Sequence, residues 1–136
     1  MAKRRYLLVS LAVICILILC GAIGYHFYSQ HKRSVAWSAI NHYINKQGIK
    51  KEDIRVSSFF TEDDGQWHRF ISVKDEKSNI AYEYIYKADI KKVFFSAERV
   101  DKKYINRHEW GGGGLDDYQM QHIKHPPLPN SYGYNN

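Results

Sequence analysis

Apolar and polar positions divide this chain into stretches of different texture. From Leu7 to Gly24 (LLVSLAVICILILCGAIG) the side chains are almost purely apolar, and no Asp, Glu, Lys or Arg lies between Arg5 and Lys32. Eighteen such residues in a helix measure about 27 Å at ~1.5 Å per residue, close to the ~30 Å hydrocarbon layer of a bilayer. The run therefore predicts a transmembrane helix. Past it, HKRSVAWSAINHYINKQG carries Ala36, Ile40, Tyr43 and Ile44 at helical spacing, with Trp37 extending that face and Gly48 as the stop. No proline and no further glycine intervene between Gly24 and Gly48, so the spanning helix is expected to run into this amphipathic one.

After Gly48 the period changes from helical to alternating. The charged group Lys50, Lys51, Glu52, Asp53 leads into a first strand, Ile54 to Thr61, and Glu62, Asp63, Asp64, Gly65 make a hairpin turn. In a second strand, Gln66 to Lys74, Trp67, Arg69, Ile71 and Val73 alternate with His68, Phe70 and Ser72. A third, Ile80 to Lys87, sets Ile80, Tyr82, Tyr84 and Tyr86 on one side and Ala81, Glu83 and Ile85 on the other. The turn Ala88 to Lys91 returns the chain into a fourth, Lys92 to Glu98.

One helix followed by four strands joined by short turns predicts an α+β fold, with the amphipathic helix packed on a four-stranded antiparallel meander. Roughly seventy residues can bury a modest core of this kind. Beyond Arg99 the periodicity fades, though Val100, Tyr104 and Ile105 offer a little more apolar character. Gly111 to Gly114 reads as a linker, and LDDYQMQHIKHPPLPNSYGYNN reads as a disordered tail. The expected organisation is 1–28, basic flank and anchor; 29–110, folded domain; and 111–136, linker and tail.

Charge and cysteine content place the domain. Lys3, Arg4 and Arg5 precede the apolar run and only Lys32 and Arg33 follow it, so the amino terminus is expected in the cytoplasm and the rest outside. Tyr6, Tyr25 and Tyr28 fall near the two headgroup levels. A cleaved signal peptide is the alternative, supported by Gly21, Ala22 and Gly24. Against it, the run exceeds the ~7 to 15 residues of a usual signal core. Lipidation at Cys20 is disfavoured by Leu19, where a small residue is required. Both cysteines, Cys15 and Cys20, lie in the apolar run, so the exported part folds without disulfides and holds no cysteine nucleophile or thiolate metal site. From Ser29 onward, 17 of the 20 basic residues face 14 acidic ones in mixed order, which is a solvated surface and no nucleic-acid footprint.

The stretch Ile44 to Ile54 (INKQGIKKEDI), set between an export anchor and the tyrosine-rich strands Trp67 to Val73 and Tyr82 to Tyr86, carries a resemblance. Helix end, glycine cap, charged turn and strand entry together resemble a family of short, uncharacterised membrane-anchored proteins of Gram-positive bacteria. The likeness covers about the first hundred residues. The tail after Trp110 departs from it. The resemblance implies an extracytoplasmic domain in a Gram-positive envelope, and no catalytic residue comes with it.

Candidate chemistry is sparse. Of seven histidines, His108, His122 and His125 are the nearest to a metal cluster, but they sit on the segment expected to be disordered, where no site is held in place. His42 and His68 read as surface or satisfied histidines, with no serine elbow beside them. Asp63 with Asp64, and Asp116 with Asp117, supply turn chemistry and do not continue into a calcium loop. The Gly111 to Gly114 run lacks the Gly-Lys-Ser/Thr ending of a phosphate loop. The Pro126, Pro127, Leu128, Pro129 run resembles a polyproline ligand but reads as a plain extension. No catalytic, cofactor or metal residue is therefore assigned.

The richest feature is the aromatic set Trp67, Tyr82, Tyr84 and Tyr86, with Phe59, Phe60, Phe94 and Phe95. A half-buried sheet normally carries such residues in its core. On the face away from the helix, Trp67, Tyr82, Tyr84 and Tyr86 would instead make an interaction surface for a peptide, glycan or protein. The expected function is a non-enzymatic binding module held against the outer face of the membrane. Its partners are the lipid bilayer and a membrane or cell-wall protein. The alternatives are a secreted effector or inhibitor, or an envelope enzyme or metal-binding protein. Convergence of His42, His68 and an acidic residue in one pocket would favour an enzyme or metal protein, and a bare tyrosine face the binding module.

Overall fold

A computed structural model of the chain describes residues 2–100 and 112–129. Helix α1 (Ala2–Lys46) is followed by a 3-10 turn (Lys51–Asp53) and strands β1 (Ile54–Thr61), β2 (Trp67–Val73), β3 (Ile80–Lys87), β4 (Lys92–Val100) and β5 (Gly112–Gly114). Helix α2 (Asp117–Gln121) comes last. Contacts divide the chain into two compact units, Met1–Val35 and Ala36–Asn136.

In the first unit the described apolar side chains from Tyr6 onward are exposed. Leu7, Ile18 and Leu19 are each more than 60% exposed, as soluble monomers rarely allow over so long a stretch. The helix is long and apolar enough to cross a membrane.

The second unit is an α+β domain whose antiparallel sheet has the strand order β1-β2-β3-β4-β5. Ala36, Ile40, Tyr43 and Ile44 are buried, the stripe expected from their i, i+4, i+7, i+8 spacing. The helix ends in a Schellman motif. Gly48, at φ +80°, donates to the Asn45 carbonyl at 3.0 Å, and Ile49 donates to the Ile44 carbonyl at 3.2 Å. Ile44 and Ile49 are both buried, giving the apolar contact that accompanies this cap.

Gly65, at φ +75°, closes the β1–β2 hairpin, where its N–H donates to the Glu62 carbonyl at 2.9 Å. Pairing of Phe60 with His68, Arg69 with Tyr84 and Tyr84 with Phe95 sets the alternation across the sheet. One face, bearing Ile71, Val73, Ile80, Tyr82, Tyr84, Tyr86, Phe95 and Ala97, forms the main core with the α1 stripe. The other carries His68, Phe70, Ser72, Glu83, Ile85 and Ser96, with a small cluster of Ala81 and Val100 against Val56.

Arg69 lies on the core face, 5% exposed. Its guanidinium donates to Ser57 Oγ at 3.1 Å and to Asn41 Oδ1, and stands 4.0 Å over the Trp37 ring. Hydrogen-bond acceptors and a ring quadrupole thus solvate a cation that burial disfavours, and its pKa is pushed down accordingly.

Residues 112–129 correct the expected linker and tail. Gly112–Gly114 pairs with Val100, Arg99 and Glu98 as a fifth strand, so the sheet is not four-stranded. Asp116 then starts α2 with a capping box, accepting from the Gln119 N–H at 2.7 Å. Met120 is buried in the main core, and Leu115, Ile123 and Leu128 pack against it. These apolar residues follow no single period because each reaches the core from irregular backbone, which is why pattern reading passed over them. The rest of that expectation, at 111 and 130–136, lies outside the described residues, as do Tyr104 and Ile105.

Gln47 ties the tail down. Its Oε1 accepts from Tyr84 Oη at 2.7 Å, its Nε2 donates to the Pro126 carbonyl at 3.0 Å, and its own carbonyl faces His125 Nδ1 at 3.2 Å. Leu128 N–H donates to Tyr43 Oη at 2.9 Å. Met120→Ala should therefore destabilise the domain by about 2 to 5 kcal/mol, the usual cost of truncating a core side chain. Denaturant unfolding followed by circular dichroism checks this, and a change within error would mean the tail is not part of the core.

Candidate functional site

The tyrosine stripe is not an exposed surface. Tyr82, Tyr84 and Tyr86 are 1%, 0% and 6% exposed and lie beneath α1, while half-buried Trp67 stacks on Phe59 at 5.1 Å. Burial pushes the Tyr82 and Tyr84 phenols well above their ordinary pKa, so both stay neutral donors. Tyr82 Oη donates to Glu76 and Tyr84 Oη to Gln47. The hydroxyls thus find partners at the edge of the core while the rings fill it.

Polar chemistry gathers on the opposite face. His68 is the second residue of β2 and pairs with Phe60, whose ring stacks on the imidazole at 5.8 Å and 12°. Its side chain is 4% exposed, and Nδ1 lies 2.9 Å from Glu83 Oε1. Glu83, on β3, accepts from Ser96 Oγ of β4 through its other oxygen at 3.0 Å. The remaining imidazole nitrogen, Nε2, is buried without a hydrogen-bond partner. Above it stands the β1–β2 turn, with Glu62 Oε2 3.7 Å from Nε2, and Asp64 close by. Asp64 also accepts from the Gln66 N–H at 2.8 Å, which ties its carboxylate to the turn.

Glu62, His68, Glu83 and Ser96 line one side of a cavity of about 640 Å³ that also takes in Glu98, Asp116 and Asp117. Five carboxylates and one imidazole make it a site for positive charge. Burial, reinforced by Glu83, raises the Glu98 pKa. For His68, burial works to lower the pKa. The hydrogen bond to Glu83 and the charges of Glu62, Glu83 and Asp64 outweigh it, holding the imidazole above its ordinary 6.5.

Other candidates do not converge here. His42 is exposed on α1 and His122 is exposed on the tail, while His125 faces Asp75 at 3.1 Å. His108 lies outside the described residues. Of His42, His68 and an acid, whose convergence would favour an enzyme or metal protein, the cavity brings together His68 and the acids without His42. Reading His68 as a satisfied histidine missed its orphaned Nε2. The signal available was the short Glu62-Asp63-Asp64-Gly65 turn followed by His68, since so tight a hairpin folds its carboxylates back over the start of β2.

An α+β domain following a membrane-length apolar helix, with an acidic cavity reaching the sheet face opposite the tyrosines, is the class of protein this architecture defines. A Bacillus thuringiensis protein described as an uncharacterized 13.4 kDa protein is 35% identical over 97 residues, covering 71% of this chain and 83% of its own length. The chain belongs to that family of small uncharacterised proteins. No model of a known protein family matches it, and no solved structure matches it.

Glu83→Gln should lower the His68 pKa in the chelator-treated chain, because it removes the negative charge and leaves a weaker, neutral hydrogen-bond acceptor. Titration of the His68 ring signals by NMR reads this directly, and an unchanged or higher value contradicts the assigned contact. Since the folded pKa is raised, the stability linked to this proton is fully present below pH ~6.5 and is lost as pH rises through the folded value.

Proposed function

We propose that the protein is a single-pass, membrane-anchored binding module whose α+β domain faces outward in a Gram-positive cell envelope, with its amino terminus in the cytoplasm. The observation that carries this reading is the run of unburied apolar side chains from Leu7 to Gly24, with Lys3, Arg4 and Arg5 before it and only Lys32 and Arg33 after it. A bilayer removes that surface from water, and the basic excess favours the cytoplasmic side. The Gram-positive relative supports the setting.

The acidic cavity supports binding over catalysis. Ser96 is the one hydroxyl residue among its described lining, and it donates to Glu83 instead of sitting on an imidazole. His68 also directs Nδ1 to Glu83. Serine and histidine therefore meet on a carboxylate and not on each other, which leaves no activated nucleophile between them. The partners are the lipid bilayer and a cationic ligand or envelope protein presented to the domain.

Protease added to intact protoplasts should shorten the protein to an anchor-sized fragment, whereas protection of the full-length chain overturns the orientation. The mass of the mature protein should be that of the whole chain. A mass starting after Ala22 would instead mean a cleaved, secreted protein.

A further inference from the structure

We propose that His68, Glu62 and Asp64 form a binding site for a single divalent transition-metal ion of the zinc type, at the turn between β1 and β2. The inference rests on reading this face as the binding face, and it is independent of membrane topology.

Two separate observations meet at the same point. The first is spatial: one ligand atom from each of Glu62, Asp64 and His68 lies within 4.8 Å of the other two. Ligand atoms arranged tetrahedrally about zinc stand about 3.4 Å apart, given metal–ligand distances near 2.1 Å. The 3.7 Å between His68 Nε2 and Glu62 Oε2 is too long for a hydrogen bond and close to that spacing. Glu62 and Asp64 are exposed on a turn, so both can move the remaining distance, a few tenths of an ångström for Glu62 and at most about 1.4 Å for Asp64.

The second observation concerns Nε2 itself. This nitrogen is buried with no hydrogen-bond partner, which is costly for a polar atom unless something else occupies its lone pair. Glu83 holds the proton of the neutral ring on Nδ1, leaving the Nε2 lone pair directed to the carboxylates. A carboxylate behind a ligating imidazole is the usual support of zinc sites, because it sets the tautomer and orients the ring. Glu83 is itself held by Ser96, and Phe60 stacks on the imidazole, so the nitrogen ligand is preset before any ion arrives.

The donor set selects the ion. A buried imidazole nitrogen disfavours magnesium and calcium, which take oxygen ligands, and suits zinc. Three protein ligands leave a fourth position for water or for a group of a partner, as open zinc sites do.

Calorimetric titration of the untagged full-length chain in detergent with zinc chloride tests the site. One equivalent should bind, with no comparable uptake of magnesium or calcium, and cobalt(II) should give the visible absorption of a four-coordinate site. Glu62→Gln with Asp64→Asn, both at exposed positions, should weaken zinc binding by about 100-fold, and Glu83→Gln by about 10- to 100-fold. His122→Gln on the tail should leave it unchanged. Failure of the wild-type chain to bind zinc saturably, full affinity in the double variant, or loss of binding in His122→Gln would each overturn the assignment. Protection of the full-length chain from protease on intact protoplasts would leave these titrations untouched, so the two readings fail separately.

Discussion

Burial of one tyrosine-rich sheet face beneath a single helical stripe is the constraint on which the folded unit depends. The domain has no disulfide, so its core must exclude water by packing alone. Tyr82, Tyr84 and Phe95 supply the bulk, with rings 5.3 to 5.4 Å apart in tilted and edge-on contacts, and Tyr43 adds a further ring from the helix. Tyrosine in such a core requires an exit for each hydroxyl. Those exits, at Gln47 and Glu76, lie where the helix ends and where β2 turns into β3, and they are where the tail docks. Packing and tail attachment are thus one arrangement, since the groups that satisfy the tyrosines also receive the backbone of 124–128.

The same constraint determines where chemistry is left. Alternation along β2 and β3 commits Ile71, Val73, Tyr82 and Tyr84 to the helix side, so His68 and Glu83 fall on the other. A one-residue slip in register would exchange these sets, placing a carboxylate and an imidazole in the core. Arg69 is the price of this register on the core side. It is tolerated because Asn41, Ser57 and the Trp37 ring surround it, and the first and last of these come from the helix that does the covering.

Much of this was legible in the chain. Strand limits at Ile54–Thr61 and Ile80–Lys87 follow from period-two alternation and from turn residues with positive φ, and the helix end follows from Gly48. What the pattern could not convey was which sheet face the helix covers, because β3 presents Ala81 and Ile85 opposite Tyr82 and Tyr84, and both sides are apolar enough to bury. Nor could it reveal β5 and the docked tail. Three glycines have no side-chain signature, and a short strand at the sheet edge gains its stability from pairing with Arg99 and its neighbours, not from its own composition. Leu115, Met120, Ile123 and Leu128 act one at a time, so no period announces them.

The candidate site was hidden for a different reason: its parts belong to three strands and one turn. Glu62 and His68 are six positions apart, yet the four-residue turn returns the chain so sharply that Phe60 pairs with His68 and the carboxylates beyond Phe60 arch over the imidazole. Glu83 and Ser96 arrive only through the β2–β3 and β3–β4 registers. Each of these residues taken singly is ordinary: an acidic turn, a strand histidine, a glutamate on a sheet. Their significance comes from convergence, with a buried nitrogen whose proton is committed to one side and whose lone pair is directed to the other. The tail histidines show the converse, because proximity in sequence gave His122 and His125 the look of a pair while folding sends one to solvent and the other to Asp75. In a small sheet, register and turn length are better guides to a site than the spacing of its residues along the chain.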